Sequence, residues 1–145
     1  MKRSFISDLK SGQEVFLKGW VFESRILAKM AFLLLRDSTG YVQCISKDSE
    51  LLKKISDITL ESVVEIKGSV KKANVKAELA RNDIEVEVAE IKVLAKAEKL
   101  PIQVNEKAVT TELPSRLDYR SLDVSKPRVN AIFKIQSTIA NAFRD

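Results

Sequence analysis

Gly19-Trp20-Val21-Phe22-Glu23-Ser24-Arg25, followed after five intervening residues by Ala31-Phe32-Leu33-Leu34-Leu35-Arg36-Asp37-Ser38-Thr39-Gly40-Tyr41-Val42-Gln43, is the stretch that decides the fold. Its first part ends an alternating run over residues 14–24. Val15, Leu17, Gly19 and Val21 fall on one face of that run, and Phe16, Lys18, Trp20 and Phe22 on the other. Residues 31–36 read as a second strand. Asp37-Ser38-Thr39-Gly40 has the composition of a tight turn, so residues 41–45 are expected to return as a hairpin partner.

Outward from that hairpin, residues 46–57 read as a short helix. Ser46 or Asp48 can cap it, and Leu51, Leu52 and Ile55 share a face. Residues 61–72 are a fourth strand, with Val64, Ile66, Gly68 and Val70 in alternation. Residues 84–94 are a fifth, whose phase shifts near Ala89-Glu90 and predicts a bulge there. Five strands with a helix between the third and fourth is the order of an OB-fold, a partly open five-stranded Greek-key barrel in a mainly β chain. The composition changes after Glu98. Residues 101–126 carry Pro101 and Pro114 without clear periodicity and are expected to be a linker or extended crossing segment. Pro127 then opens a C-terminal helix over residues 127–145, with Val129, Ile132, Phe133, Gln136, Ile139, Ala140 and Phe143 at helical spacing. The expected organisation is a barrel domain (1–100), a linker or hinge (101–126) and the first helix of a further domain (127–145). The unfinished apolar stripe leads us to expect a fragment of a longer protein.

The 145 residues are 45% hydrophobic and 31% charged, as in a soluble globular domain, with a formal net charge of +5 that suits a solvated basic surface or a polyanion partner. No His occurs, which removes the commonest general base and metal ligand. The single Cys44 excludes an internal disulfide and, alternating with Val42, reads as a buried small hydrophobe. No signal peptide or membrane span is visible, and the expectation is an intracellular protein.

Phe32, Leu34 and Arg36 share one face of the second strand, and Leu33 and Leu35 the other. The latter pair suits the core and leaves Phe32 facing outward. A ring there is either packed under a loop or a platform for an unpaired base, an interaction worth roughly 1–3 kcal/mol. Gln43, on a face with Tyr41 and Ile45, carries a donor and an acceptor able to read a base edge; the plain alternative is a solvated amide. Arg25, between the first and second strands, is either a surface charge or a phosphate partner. Glu85 and Glu87 alternate outward on the fifth strand. Beside RNA a carboxylate must accept from a base amino group; otherwise the two simply face lysines. Lys71, Lys72, Lys76 and Arg81 cluster between the fourth and fifth strands, as a solvated loop or a salt-sensitive phosphate track. With no nucleophile motif and no metal-ligand cluster, no residue is assigned a catalytic role.

Gly19-Trp20-Val21, Arg25, Phe32, Leu35-Arg36-Asp37, Gly40 and Val42-Gln43 together resemble the anticodon-binding domain of class IIb aminoacyl-tRNA synthetases, which charge aspartate, asparagine or lysine. Leu100-Pro101-Ile102 resembles the end of that barrel. The run Arg116-Leu117-Asp118-Tyr119-Arg120-Ser121-Leu122-Asp123 resembles the family's hinge, and Asn130-Ala131-Ile132-Phe133-Lys134-Ile135-Gln136-Ser137 the first catalytic-domain helix. Hinge and helix are most similar to archaeal-type aspartyl enzymes; asparaginyl enzymes stay open and lysyl ones fit less well. The resemblance implies that Phe32 stacks on the central anticodon uridine, Gln43 reads its edge, Arg25 holds the loop and Glu85 contacts the third base. Trp20 lies near the first base or in the barrel wall, and Lys29, in the loop after Arg25, joins the RNA-binding set. Three positions depart from the family: Ala28-Lys29 where small glycines are usual, Phe22 where His often stands, and Asp123-Val124-Ser125-Lys126 where the run is often more basic.

The resemblance further implies a tRNA partner, for aspartate or asparagine, and no cofactor within this chain. The three class II motifs are expected to follow the first catalytic helix, outside it. A full-length parent would use ATP and Mg²⁺, dimerise through the missing domain and work in the cytoplasm. Two rival readings stand beside this one: a general single-strand-binding OB module, and a protein-interaction domain docking through its C-terminal helix.

Overall fold

A computed structural model describes residues 2–105 and 110–144, so residues 106–109 of the expected linker and the end of the expected helix at Asp145 lie outside the described residues. Two compact units divide the chain, Met1–Lys99 and Leu100–Asp145.

The first unit is a closed barrel of strands β1 (Glu14–Leu27), β2 (Met30–Arg36), β3 (Tyr41–Ser46), β4 (Val63–Lys72) and β5 (Ile84–Ala95) in the order β1-β2-β3-β5-β4. Helix α1 (Ser49–Ser56) lies between β3 and β4 in sequence and packs against β1, β2 and β5. All neighbours are antiparallel except β3 and β5, which run parallel around Cys44↔Val86. This is the five-stranded OB-fold expected from the pattern.

The alternation in sequence explains the layering. Val15, Leu17 and Val21 of β1, Leu33 and Leu35 of β2, Val42 and Cys44 of β3, Val64, Ile66 and Val70 of β4, and Ile84, Val86 and Val88 of β5 form one buried cluster, joined by Leu51 and Ile55 of α1. Each such side chain contributes about 1.5–3 kcal/mol on leaving water. Cys44 is a buried hydrophobe as expected, and burial pushes its thiol up to about 12.

The helix starts later than expected. Asp48 is its cap, accepting from the Glu50 and Leu51 amides at 2.8 and 2.9 Å, while Ser46 remains in β3 and its hydroxyl accepts from the Asp48 amide at 3.2 Å. Asp37 organises the turn between β2 and β3. Its buried carboxylate accepts from the amides of Thr39 (2.7 Å) and Gly40 (3.1 Å), and from Ile6 of the N-terminal segment at 2.9 Å.

Bulges adjust the strands. Lys67 pairs with Glu90 and Gly68 with Val88, so Ala89 is the extra residue of the bulge expected there. A second bulge was not legible: Val21 pairs with Leu35 and Glu23 with Leu34, leaving Phe22 over. Phe22 is therefore buried rather than continuing the outward row of Trp20. Its ring meets Tyr41 edge-on at 5.1 Å.

Closure brings backbone close to two inward-facing positions. A Cβ on Gly19 would collide with the Arg36 carbonyl, and one on Gly68 with the Glu87 carbonyl. Only glycine lets the bent strands approach so closely.

In the second unit α2 (Leu113–Asp118) and α3 (Arg120–Asp123) form where a linker or extended crossing segment was expected, and α4 (Pro127–Ala142) is the helix expected to open at Pro127. Pro114 sits in the first turn of α2, where its missing N–H costs nothing. Asp123, fully buried, is the anchor. Arg116 donates to it from Nε (2.9 Å) and Nη2 (3.2 Å), Arg120 from Nη1 at 2.7 Å, and the Lys126 ammonium lies 3.4 Å away. Arg116 first, and then Lys126, hold its carboxyl below the usual range, against the opposing effect of burial. On α4, Val129 is buried, while Ile132, Phe133, Ile135, Ile139 and Phe143 are exposed.

The tight contact over Gly68 makes a direct test. Gly68→Ala is expected to cost about 3 kcal/mol, because the obstructing group is backbone and cannot swing away. A urea midpoint within error of wild type would refute this account of barrel closure.

Candidate nucleic-acid interface

The outer face of the barrel follows from the same registers as the core. Arg25 lies opposite Phe32 and Glu23 opposite Leu34 across β1 and β2. Leu34 lies opposite Gln43 and Phe32 opposite Ile45 across β2 and β3, and Ile45 stands beside Glu87 of β5. Since alternate residues share a face, Arg25, Phe32, Gln43 and Glu85 belong to one continuous outward surface. Glu23, Arg25, Phe32, Leu34 and Gln43 line a shallow depression there, with Ala77 from the β4–β5 loop closing one side. Leu34 and Ile45 face outward yet are 7% and 9% exposed, so this surface has a dry apolar floor.

Phe32 sits in that floor, partly exposed. Arg25 belongs to β1 itself, which runs on to Leu27, rather than to a segment between the strands. The reason is the hairpin's tight turn: Leu27 pairs with Met30, and only Ala28 and Lys29 lie between. Ala28 takes up the left-handed conformation, φ +51°, that a two-residue turn demands and that glycine would adopt more easily. Lys29 is exposed at this tip, outside the lining of the depression. Arg25 Nε lies 3.4 Å from Glu23 Oε1; both side chains are well exposed, so the pair orients more than it stabilises.

Gln43 donates from Nε2 to Glu85 Oε2 at 3.2 Å, bridging β3 and β5. Glu87 lies 3.6 Å from the Lys71 ammonium instead. The two carboxylates of β5 therefore have different partners. The basic cluster also divides. Arg81 donates from Nη1 to the Leu9 carbonyl at 2.9 Å and from Nε and Nη2 to Asp83 at 3.1 and 2.6 Å. It ties the β4–β5 loop to the N-terminal segment, whereas Lys72 and Lys76 stay exposed.

Trp20 is 41% exposed at the edge of the same face. The Arg36 guanidinium lies 5.7 Å from both the Trp20 and Phe22 rings and bonds Glu61 at 2.6 Å. The sequence pointed to Trp20 but gave no role to Arg36 or Glu61, because Glu61 reaches Arg36 only once the barrel closes. Burial pushes the Glu61 carboxyl above its usual range, a larger effect than the opposing attraction of Arg36. Glu23 was legible as a face-mate of Arg25 two residues away; Ala77 had no signal at all.

An aromatic ring, an amide and a guanidinium on one face of a small barrel define a surface suited to unpaired bases. The chain belongs to the tRNA anticodon-type OB-fold nucleic acid binding domain family, whose pattern matches residues 15–94. It is 41% identical over 138 residues to the aspartate–tRNA(Asp/Asn) ligase of Methanococcus maripaludis, covering 92% of this chain and 30% of that one. Among solved structures it is similar to the aspartyl tRNA synthetase of Entamoeba histolytica, at 26% identity and TM-score 0.85 over 99% of this chain and 36% of that one. It is also similar to the asparaginyl-tRNA synthetase of Pyrococcus horikoshii, at 30% identity and TM-score 0.81 over 99% and 33%. The chain thus spans about a third of the length of these relatives.

The Arg36–Glu61 pair has a pH signature. A carboxyl that titrates higher in the folded chain than in the unfolded one favours folding when protonated, and that contribution fades as pH rises through the folded value. Wild type should therefore gain stability relative to Glu61→Gln as pH falls from 7 towards 4, in paired denaturant titrations. The opposite trend would mean that attraction to Arg36 outweighs desolvation.

Proposed function

We propose that this chain recognises the anticodon loop of a tRNA, as the N-terminal part of an aspartate–tRNA ligase that serves tRNA(Asp) and, in the manner its relatives' names describe, tRNA(Asn). The observation that carries the reading is the shared outward face of Arg25, Phe32, Gln43 and Glu85 within the family-matched residues. Loop bases unstack and splay onto this face. One lies on Phe32, the Gln43 amide reads its edge, and Arg25 meets the adjoining phosphate or stacks on a neighbouring base. Glu85 accepts from the amino group of the third base. Trp20 and Lys29, at the margin, meet the first base and the backbone.

No residue of this face is suited to bond-making. Among the described residues, no group of three or more His, Cys, Asp or Glu side chains could hold a metal ion. This reading puts the ATP- and Mg²⁺-dependent chemistry, and dimerisation, in parts of a parent ligase beyond these residues. Its working place would be the cytoplasm; no described helix is long and apolar enough to cross a membrane. The similarity to an asparaginyl enzyme keeps a second specificity in view. A general single-strand binder would use the same ring and cations without ranking sequences.

Stem-loops carrying GUC, GUU, or GUC with the central uridine replaced separate these readings at two salt concentrations. Preference for GUC and GUU over the third loop is expected; equal binding of all three, collapsing with salt, would replace anticodon reading by general single-strand binding. Phe32→Ala should weaken the preferred loop by roughly 1–3 kcal/mol. A folded Phe32→Ala chain with wild-type affinity would remove the stacking role.

A further inference from the structure

The hydrogen bond between Gln43 and Glu85 does more than hold two strands. A glutamine amide has an NH₂ end that donates and a carbonyl end that accepts, and in isolation it presents either end to a ligand. An ionised carboxylate only accepts. The end of Gln43 facing Glu85 must then be the NH₂, and Nε2 lies 3.2 Å from Glu85 Oε2. Turning the amide over would set Oε1 against the carboxylate, acceptor against acceptor. Glu85 is left available for this task because the nearby ammonium of Lys71 goes to Glu87, 3.6 Å away. No described group donates to Oε1 of Gln43, which lines the depression beside Phe32.

We propose that Glu85 is a specificity-positioning residue: it locks the Gln43 amide with its carbonyl oxygen towards the bound base. The site then selects a base that presents a ring N–H there over one that presents a bare ring nitrogen. This rests on the reading that a base stacked on Phe32 meets Gln43 edge-on. Uracil and guanine carry a ring N–H on the edge used in pairing; cytosine and adenine carry an acceptor nitrogen in its place. Stacking on Phe32 tolerates all four, so discrimination falls to the amide. A free amide would serve uracil with one end and cytosine with the other. The lock disfavours the second option, because putting the NH₂ end in the carbonyl's place would break the bond to Glu85. The carboxylate thus acts on a base through Gln43, in addition to any contact it makes itself.

The test uses the full chain and two stem-loops differing only in uridine or cytidine at the central loop position. Wild type is expected to prefer uridine about tenfold or more. In Glu85→Gln, the new side chain offers either a donor or an acceptor to Gln43, so the preference should fall to within about threefold. Any loss of the Glu85 contact to the third base falls on both loops alike, so the readout is the ratio of uridine to cytidine binding. Glu87→Gln removes the same charge one register step away and should keep the preference; equal loss in both variants would make the effect one of charge, and the positioning role would fall. Glu85→Gln that keeps the full uridine preference would also overturn it while leaving anticodon reading intact. A wild-type chain that does not distinguish the loops, or is indifferent to Phe32→Ala, would overturn the reading on which the inference stands.

Discussion

Five strands can close into a barrel this small only if two of them bend far enough for a neighbouring carbonyl to lie on a glycine. At Gly19 and Gly68 the Arg36 and Glu87 carbonyls occupy the space a side chain would take. Those contacts let β1 pair with β2 along one part of its length and β4 along another. The bulges at Phe22 and Ala89 supply the remaining bend. Once the ring is shut, every alternate residue has an assigned side. The apolar inner set forms a continuous core, and the outer set is displayed in fixed register.

The outward face that carries Arg25, Phe32, Gln43 and Glu85 is a by-product of that closure, with different chemistry along it. Leu34 and Ile45 exclude water from its floor, so polar groups at its rim act in a lower dielectric than bulk solvent. Phe32 offers area without sequence preference, Arg25 offers charge, and Gln43 offers an edge. Glu85 couples strand β5 to that edge. At the margin, Arg36 lies against Trp20 and Phe22 and bonds Glu61, which steadies the aromatic end of the face. Removing water from both partners of that pair leaves it a register device more than a source of stability.

The helical unit solves a different problem with charge. Arg116, Arg120 and Lys126 converge on one buried carboxylate, Asp123, so three short stretches of chain are tied at one point. Of the exposed apolar residues of α4, Phe133 lies under the Arg120 guanidinium, which is 5.0 Å from the ring centroid.

Most of the fold was legible because a half-buried strand writes its two faces into alternate residues. The five strands, the Asp37 turn, the Asp48 cap, the buried Cys44 and the bulge at Ala89 were all readable locally. The helices within 113–123, a run expected as a linker or extended crossing segment, were not legible, because they are tied by Asp123 rather than by a periodic apolar stripe. Arg25 was placed outside a strand because a two-residue turn with Ala28 at positive φ lacks the glycine that normally marks it. The sequence by itself determined most of which residues face in and which face out. Tertiary structure alone decided that Phe22 is buried against Tyr41 and Arg36, that Ala77 walls the depression, that Arg36 finds Glu61, and that Glu85 takes hold of Gln43 while Glu87 takes Lys71. Each of these depends on strand register and closure between residues distant in the chain, and local alternation carries no record of which strand lies beside which.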